Sequence, residues 1–325
     1  MPVALLLALA AAAPAVSVAP PQARPGDAVL VRVTDARDRP RGELAGRPLA
    51  FWREGAEWRA LGALPLELEP GPTVASVVTD GARAEAALVV VEPGFESRTI
   101  QVAPRFVEPP RSVRRRIAAD RRAFAAAYEQ PEAPPRFRSG FGWPREARVT
   151  GRFGDQRVFN DKKESVHYGL DLGGTRGAPV VAAADGEVVL ARDAYLSGKS
   201  VVLWHGADVF TLYFHLDRML VRPGAKVRKG QRIGLVGSTG RSTGPHLHWS
   251  ARVAGLLVDP ESLVGIDFAA GTAPPRATRA RPPLAPPPPP DAPVEAPAPA
   301  PEEREEAPHE APPPPEAEPT GEPTR

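Results

Sequence analysis

The stretch STGPHLH, residues 242–248, places two histidines, His246 and His248, two positions apart. In an extended strand, side chains i and i+2 point to the same face. A strand here therefore brings both imidazoles into the same cavity. An isolated His-x-His is more often a surface or packing feature than a pair of ligands, so this stretch needs support from elsewhere in the chain.

Two other stretches supply that support. HYGLD, residues 167–171, sets His167 and Asp171 four positions apart around a glycine, so that one loop or hairpin can fold around a metal ion. YFHL, residues 213–216, ends an alternating strand that delivers His215 to one side. The chain has no cysteine, so a metal must bind to His, Asp or Glu. Catalytic zinc sites use three N or O ligands and leave one position for water, which suits this set.

The segment that carries these motifs, residues 139–265, is predicted to be a second, β-rich domain. Its short apolar runs are separated by turn residues, which is typical of strands. The strand candidates are residues 180–183, 186–191, 200–204, 210–215 and 232–236.

The same segment resembles the lysostaphin/LytM-type zinc endopeptidases of peptidoglycan from residue 151 to residue 260. The order and approximate spacing of the motifs agree throughout. The matching stretches are GRFG at 151–154, HYGLD at 167–171, GAPV at 177–180, ADGEV at 184–188, YFHL at 213–216, GQRIG at 230–234 and STGPHLH at 242–248.

The resemblance implies a mainly β fold, a compact and mostly antiparallel domain with an open groove. It also implies a Zn²⁺ cofactor, peptidoglycan as the substrate and a zinc metalloendopeptidase activity. Carried over residue by residue, it implies that His167, Asp171 and His248 bind the metal. His215 and His246 correspond to the histidines that act on the substrate or the water in that family.

In that family a tyrosine before the following strand helps to stabilise the transition state, and the resemblance implies the same role for Tyr195, which stands at a comparable place. The usual glycine-rich turn is altered here to LSGK at 196–199. Two other readings stay open. A catalytically silent relative would bind peptidoglycan and activate another cell-wall hydrolase, whereas a biotinyl- or lipoyl-like carrier would need a modified lysine at a hairpin tip.

The region before the second domain divides in two. Residues 16–104 show short strands at regular spacing between Pro, Gly and Asp turns, which predicts a β-sandwich. It resembles accessory domains that precede such peptidases. Residues 105–138 are rich in Arg and Ala between proline pairs, which predicts a short helical linker.

Both ends of the chain have their own composition. Residues 1–15 hold an uncharged apolar run followed by small residues, which predicts a signal peptide cut after Ala15 and export to the periplasm, the cell wall or the extracellular space. No stable membrane span is expected after cleavage. Residues 266–325 are rich in Pro and Glu and are expected to be a disordered tail, whose partner is unknown. The net charge of +2 gives no reason to expect nucleic acid as a partner.

Overall fold

The structure is a computed structural model that describes residues 13–268. Ten strands come first along the chain. They are β1 Ala15–Ala19, β2 Gln22–Ala23, β3 Ala28–Thr34, β4 Arg41–Leu44, β5 Arg47–Pro48, β6 Trp52–Glu54, β7 Glu57–Ala63, β8 Gly71–Thr79, β9 Ala82–Val90 and β10 Ser97–Ile100. Nine of them form two sheets, with strand orders β1-β3-β7-β6 and β2-β9-β8-β4-β5.

Strand β3 shows how the chain builds two cores at once. Val29, Val31 and Val33 are buried against the second sheet of the sandwich. The alternate residues Ala28 and Leu30 belong instead to the core of the following domain. Because side chains alternate across a strand, both faces of β3 are covered. The predicted β-sandwich is confirmed, and one face of its first sheet also packs into the core of the next domain.

Three helices lie among the described residues, together with a 3-10 turn at Arg111–Val113. They are α1 Pro104–Val107, α2 Arg114–Tyr128 and α3 Pro260–Gly265. The arginine- and alanine-rich segment thus forms a helix of 15 residues. Across residues 13–268, the helices lack either the length or the apolar character that crossing a bilayer takes.

Twelve strands build the second domain. They are β11 Val149–Gly151, β12 Gln156–Phe159, β13 Lys163–Val166, β14 Leu170–Gly173, β15 Pro179–Val181, β16 Gly186–Ala194, β17 Gly198–Trp204, β18 Val209–Met219, β19 Lys226–Val227, β20 Arg232–Val236, β21 His246–Val253 and β22 Leu256–Val258. The large sheet has ten antiparallel strands, with β14, β21, β18 and β17 as successive neighbours in its middle. The mainly β, mostly antiparallel fold is confirmed.

The two regions are connected by more than sequence. β10, which lies within the predicted sandwich segment, pairs in parallel with β12 of the second domain. Asn160 fixes this junction, since its side chain accepts a hydrogen bond from Val102 N–H at 2.7 Å and donates one to the Val102 carbonyl at 2.8 Å. The predicted boundaries between segments stay predictions. Residues 1–12 of the predicted signal peptide and 269–325 of the predicted tail lie outside the described residues.

Candidate metal and catalytic site

Strand register places one ligand pair directly. In the antiparallel pair β14–β21, Asp171 lies opposite His248, and Gly173 lies opposite His246. Directly opposed residues share a face of the sheet, so Asp171, His246 and His248 all point the same way. The residues between them, such as Leu247 and Trp249, turn into the core and are fully buried. The predicted strand geometry of the His-x-His motif is therefore confirmed.

His167 enters from the short connection between β13 and β14. Its backbone is held on both sides, because its N–H donates to Asp155 O at 2.9 Å and its carbonyl accepts from Gly154 N–H at 2.8 Å. Only 3% of the residue is exposed. The glycine between the two motif residues is required by space, since a Cβ at Gly169 would lie 2.7 Å from His248 Nε2.

Three donor atoms converge at this point. His167 Nε2 lies 3.1 Å from Asp171 Oδ1, and His248 Nδ1 lies 2.9 Å from the same oxygen. The two imidazole nitrogens are 3.0 Å apart. The three side chains therefore form a candidate metal site, with all ligand atoms within 4.8 Å of one another.

The protonation of the two imidazoles follows from their outer partners. His167 Nδ1 donates to the Arg152 carbonyl at 2.6 Å, so the unprotonated Nε2 faces the centre. Ser250 Oγ donates to the Tyr168 carbonyl at 2.6 Å and so accepts from His248 Nε2 at 2.8 Å. His248 Nδ1 is then the unprotonated nitrogen, and it too faces the centre.

Electrostatics favour the same state. Burial lowers the pKa of His167 below its ordinary value and lowers the pKa of His248 to about 4, so both rings are neutral at pH 7. Burial alone would raise the pKa of Asp171, but the positive charges of His167 in its protonated form, at low pH, and of Arg157 hold that pKa well below its ordinary value. Arg157 donates to Asp171 Oδ2 at 2.5 Å, which leaves Oδ1 for the centre. The site thus offers one carboxylate and two neutral imidazoles.

His215 reaches the site through a distortion of its strand. The pairing of β18 shifts register around it, and its φ of 61° lies in the left-handed region. A bulge of this kind turns a side chain out of the regular alternation, and such strain is concentrated at functional sites. The His215 ring lies 4.9 Å from the ring of His246 and 6.0 Å from that of His248.

The remaining two imidazoles follow the same hydrogen-bonding rule as the ligands. His215 Nδ1 donates to the Thr239 carbonyl at 2.7 Å, and His246 Nδ1 donates to the Gly244 carbonyl at 2.9 Å. His246 Nε2 lies 3.7 Å from Asp171 Oδ1. Burial, followed by the neighbouring His246 and His248, places the pKa of His215 well below its ordinary value. His215 therefore presents an unprotonated Nε2 beside the three ligands, and both rings turn Nε2 toward the site.

Tyr195 has different contacts. Its hydroxyl donates to the Arg105 carbonyl at 3.1 Å, and its backbone N–H donates to Asp120 at 2.8 Å. Its ring packs beside Phe106, with ring centroids 5.5 Å apart. The structure therefore ties Tyr195 to the segment that leads into α2. A catalytic role for it stays a prediction, and that role requires the bond to Arg105 to break.

The donor set fits zinc. Two neutral imidazoles and one carboxylate are the ligands of known catalytic zinc sites, in which a fourth position is left for water. The lone pairs of His167, His248 and Asp171 point at each other, and acceptors that face one another in this way repel. A bound cation stabilises the arrangement because it attracts all three lone pairs. Outer partners fix each ligand, as metal sites require.

Comparison with known proteins agrees with this geometry. Residues 165–260 match the model of Peptidase family M23. The chain carries an M23 peptidase domain. A putative M23 peptidase of Pseudomonas aeruginosa has a similar structure, with a TM-score of 0.56 and 28% identity over 74% of this chain and 94% of that one.

Sequence relatives of the M23 domain include two named enzymes. The peptidoglycan DD-endopeptidase ShyA of Vibrio cholerae is 43% identical over 113 residues, which cover 34% of this chain and 26% of that protein. The DD-carboxypeptidase/endopeptidase Mpg of Neisseria meningitidis is 45% identical over 98 residues, which cover 30% of this chain and 23% of that protein. The match thus spans about a quarter of each relative's length. The predicted family of zinc-dependent metallopeptidases is therefore confirmed for the domain at residues 165–260.

Two functional contacts escaped the sequence analysis. Arg157 lies outside the matched motifs, yet it binds the Asp171 carboxylate. Ser250 also lies outside the motifs that identify the site, yet it fixes the tautomer of His248. The only signal for Ser250 was its position, since residue i+2 from a strand ligand lies on the same face.

Proposed function

We propose that the chain is an exported zinc-dependent endopeptidase that hydrolyses peptide bonds in peptidoglycan stems or crosslinks. The observation that carries the proposal is the convergence of four imidazoles on one carboxylate, each with one ring nitrogen bound to the protein and the other turned inward. Of these groups, His167, Asp171 and His248 are proposed to hold the metal, which leaves His215 and His246 for chemistry.

Zinc bound at this site would supply a water-derived nucleophile at neutral pH by lowering the pKa of the water. The chain's own groups do the rest. A neutral Nε2 on His215 or His246 accepts the proton of the attacking water and returns it to the leaving amine. The second of these histidines stabilises the negative charge that develops on the carbonyl oxygen when its Nε2 carries a proton taken from solvent before the reaction, which it then donates in a hydrogen bond to that oxygen.

Two kinds of support favour peptidoglycan as the substrate. ShyA, whose domain is 43% identical, is named as a peptidoglycan DD-endopeptidase. In addition, the apolar run in residues 1–15 has the length of a signal-peptide core and is followed by small residues, and a signal peptide would bring the protein to the cell wall. We therefore place the protein in the periplasm or at the cell wall.

Mass spectrometry of the fragments released from defined peptidoglycan tests the proposal. Wild type is expected to release peptide fragments, whereas His248→Ala is expected to release none because a metal ligand is lost. A wild type that releases no fragments would refute the enzymatic activity. Equal release by both proteins would refute the metal assignment instead.

A further inference from the structure

A cavity of about 460 Å³ lies directly beside the metal site. One wall comes from the M23 domain and includes Leu196, Phe214 and His248. The opposite wall comes from helix α2 and includes Ile117, Phe124 and Ala125. The M23 match begins at residue 165, so six of the fifteen residues that line this cavity come from a segment outside the family domain.

Helix α2 is held firmly in this position. Asp120, the only acidic residue in α2, is 6% exposed and accepts hydrogen bonds from Arg192 Nε at 2.7 Å and from Tyr195 N–H at 2.8 Å. Tyr128 packs edge-on against Phe210, with ring centroids 5.3 Å apart. A carboxylate bound by an arginine and a backbone N–H, together with aromatic packing, fixes the helix against the sheet.

The wall of the cavity is continuous with the metal site. Phe124 of α2 packs edge-on against Phe214 at 5.6 Å between ring centroids. Phe214 in turn stacks on the His248 ring, with planes 6° apart and centroids 5.4 Å apart. A group bound in the cavity therefore lies against the same imidazole that the metal uses.

We propose that this cavity is a side-chain pocket for the peptide substrate and that it takes an aliphatic side chain next to the scissile bond. The inference rests on the proposed function. The pocket is lined mainly by hydrocarbon, so burial of an alkyl chain contributes about 25 cal/mol per Å² of apolar surface, and glycine has no side chain to gain it. Helix α2 thus makes the enzyme select crosslinks with an aliphatic residue over all-glycine bridges.

A matched pair of helix variants tests the pocket. Ala125 and Ala126 are adjacent and both exposed on α2, but of the two only Ala125 lines the cavity. Ala125→Trp fills the pocket, whereas Ala126→Trp adds the same side chain outside it. For a soluble peptide crosslink with aliphatic residues at the scissile bond, Ala125→Trp is expected to raise KM about 10-fold or more. Ala126→Trp is expected to behave as wild type, and both variants should keep the zinc content and Tm of wild type.

Further outcomes decide the remaining possibilities. Equal KM values for Ala125→Trp and wild type would overturn the pocket, as would equal impairment of the two variants. Preference of wild type for a pentaglycine peptide over the aliphatic crosslink would also overturn it. If wild type cleaves neither peptide, release of fragments from peptidoglycan still tests the proposed function, and calorimetric binding of the aliphatic peptide tests the pocket separately. Weaker binding by Ala125→Trp than by Ala126→Trp supports it, and equal binding refutes it.

Discussion

Two histidines in this domain are buried to a similar extent, but their second ring nitrogens face different groups. His205 is 0% exposed and His167 is 3% exposed, and each has a ring nitrogen bound to a backbone carbonyl. His205 uses its other nitrogen as well, since Nε2 accepts a hydrogen bond from Thr211 Oγ1 at 2.7 Å. His167 turns its other nitrogen toward Asp171 and His248. One ring is satisfied by the protein, and the other is part of a set that needs a cation.

The comparison shows that burial and a lowered pKa do not identify a ligand. Burial lowers the pKa of both His205 and His248 to about 4. What separates them is where the unprotonated nitrogen points. Around His205, a directed chain of donors runs from Ala183 N–H through the Tyr213 and Thr211 hydroxyls to Nε2. The metal site has no such chain on its inner side among the described contacts, and only imidazole and carboxylate acceptors meet there.

Asp171→Asn should give the largest effect, because it removes the negative charge on which the inward nitrogens converge. Zinc content and peptide release are both expected to fall to background. The variant also leaves the Arg157 guanidinium, whose side chain is 16% exposed, without its carboxylate, so the apo-protein should lose about 3 kcal/mol of unfolding free energy. Metal analysis and chemical denaturation of the apo-protein measure these effects.

Asp217→Asn is the control for that variant. Asp217 pairs with Arg176, whose side chain is 71% exposed, so the loss of this pair should cost at most about 1 kcal/mol. If Asp171→Asn keeps its zinc while Asp217→Asn loses it, the metal does not bind at His167, Asp171 and His248.

His215→Asn should separate chemistry from metal binding. Asparagine tolerates the left-handed backbone of this position better than most residues, so the bulge is expected to remain. Loss of a proton-transfer group is expected to lower kcat about 10²- to 10⁴-fold, with one zinc retained. Single-turnover rates and metal content test this together. Unchanged turnover would remove His215 from the mechanism, and loss of zinc would make it a ligand.

The pH dependence of stability should carry the signature of His205. Its pKa is about 4 in the folded chain and 6.5 in the unfolded chain, so the unfolded state takes up the proton first as pH falls. The contribution of His205 to the free energy of unfolding, about 3 kcal/mol, is therefore fully present above pH 6.5. It is lost as pH falls through 4. Urea denaturation of the zinc-free protein should show this loss, and His205→Gln should show a smaller one. Identical pH profiles would contradict the account of His205.

Ser250→Ala should have a smaller effect than the changes at Asp171, His215 and His205. It removes the acceptor that keeps the proton on His248 Nε2, so His248 is free to adopt the wrong tautomer for metal binding. Partners of this kind change metal affinity about 10- to 100-fold. Competition with a chelator should show that loss for Ser250→Ala, while Ser250→Thr, which keeps the hydroxyl, should retain most of the affinity. Equal affinity of Ser250→Ala and wild type would exclude the positioning role.

The sequence predicts those parts of the site whose geometry follows from strand alternation alone. His246 and His248 share a face because they are two residues apart in β21, and the motif around Gly169 brings His167 to the same place. Arg157 is different. It lies on β12, and its contact with Asp171 depends on how two sheets meet, which no local pattern records.

Helix α2 is the clearest case of tertiary information. Its sequence predicts a helix, and the arginines suggest a solvated face. The feature that docks it is Asp120, whose partner Arg192 is 72 residues away. The sandwich shows the same limit, because β3 has the pattern of a strand buried on both faces, but nothing local indicates that Leu30 packs into the core of the next domain.

The metal content of two glutamine variants tests the central claim most directly. His167→Gln and His205→Gln make the same substitution at two buried histidines, one facing the site and one bound on both nitrogens. After dialysis against zinc and desalting, native mass spectrometry is expected to show one zinc per chain in wild type and in His205→Gln, and none in His167→Gln. Zinc retained by His167→Gln and lost by His205→Gln would contradict the account.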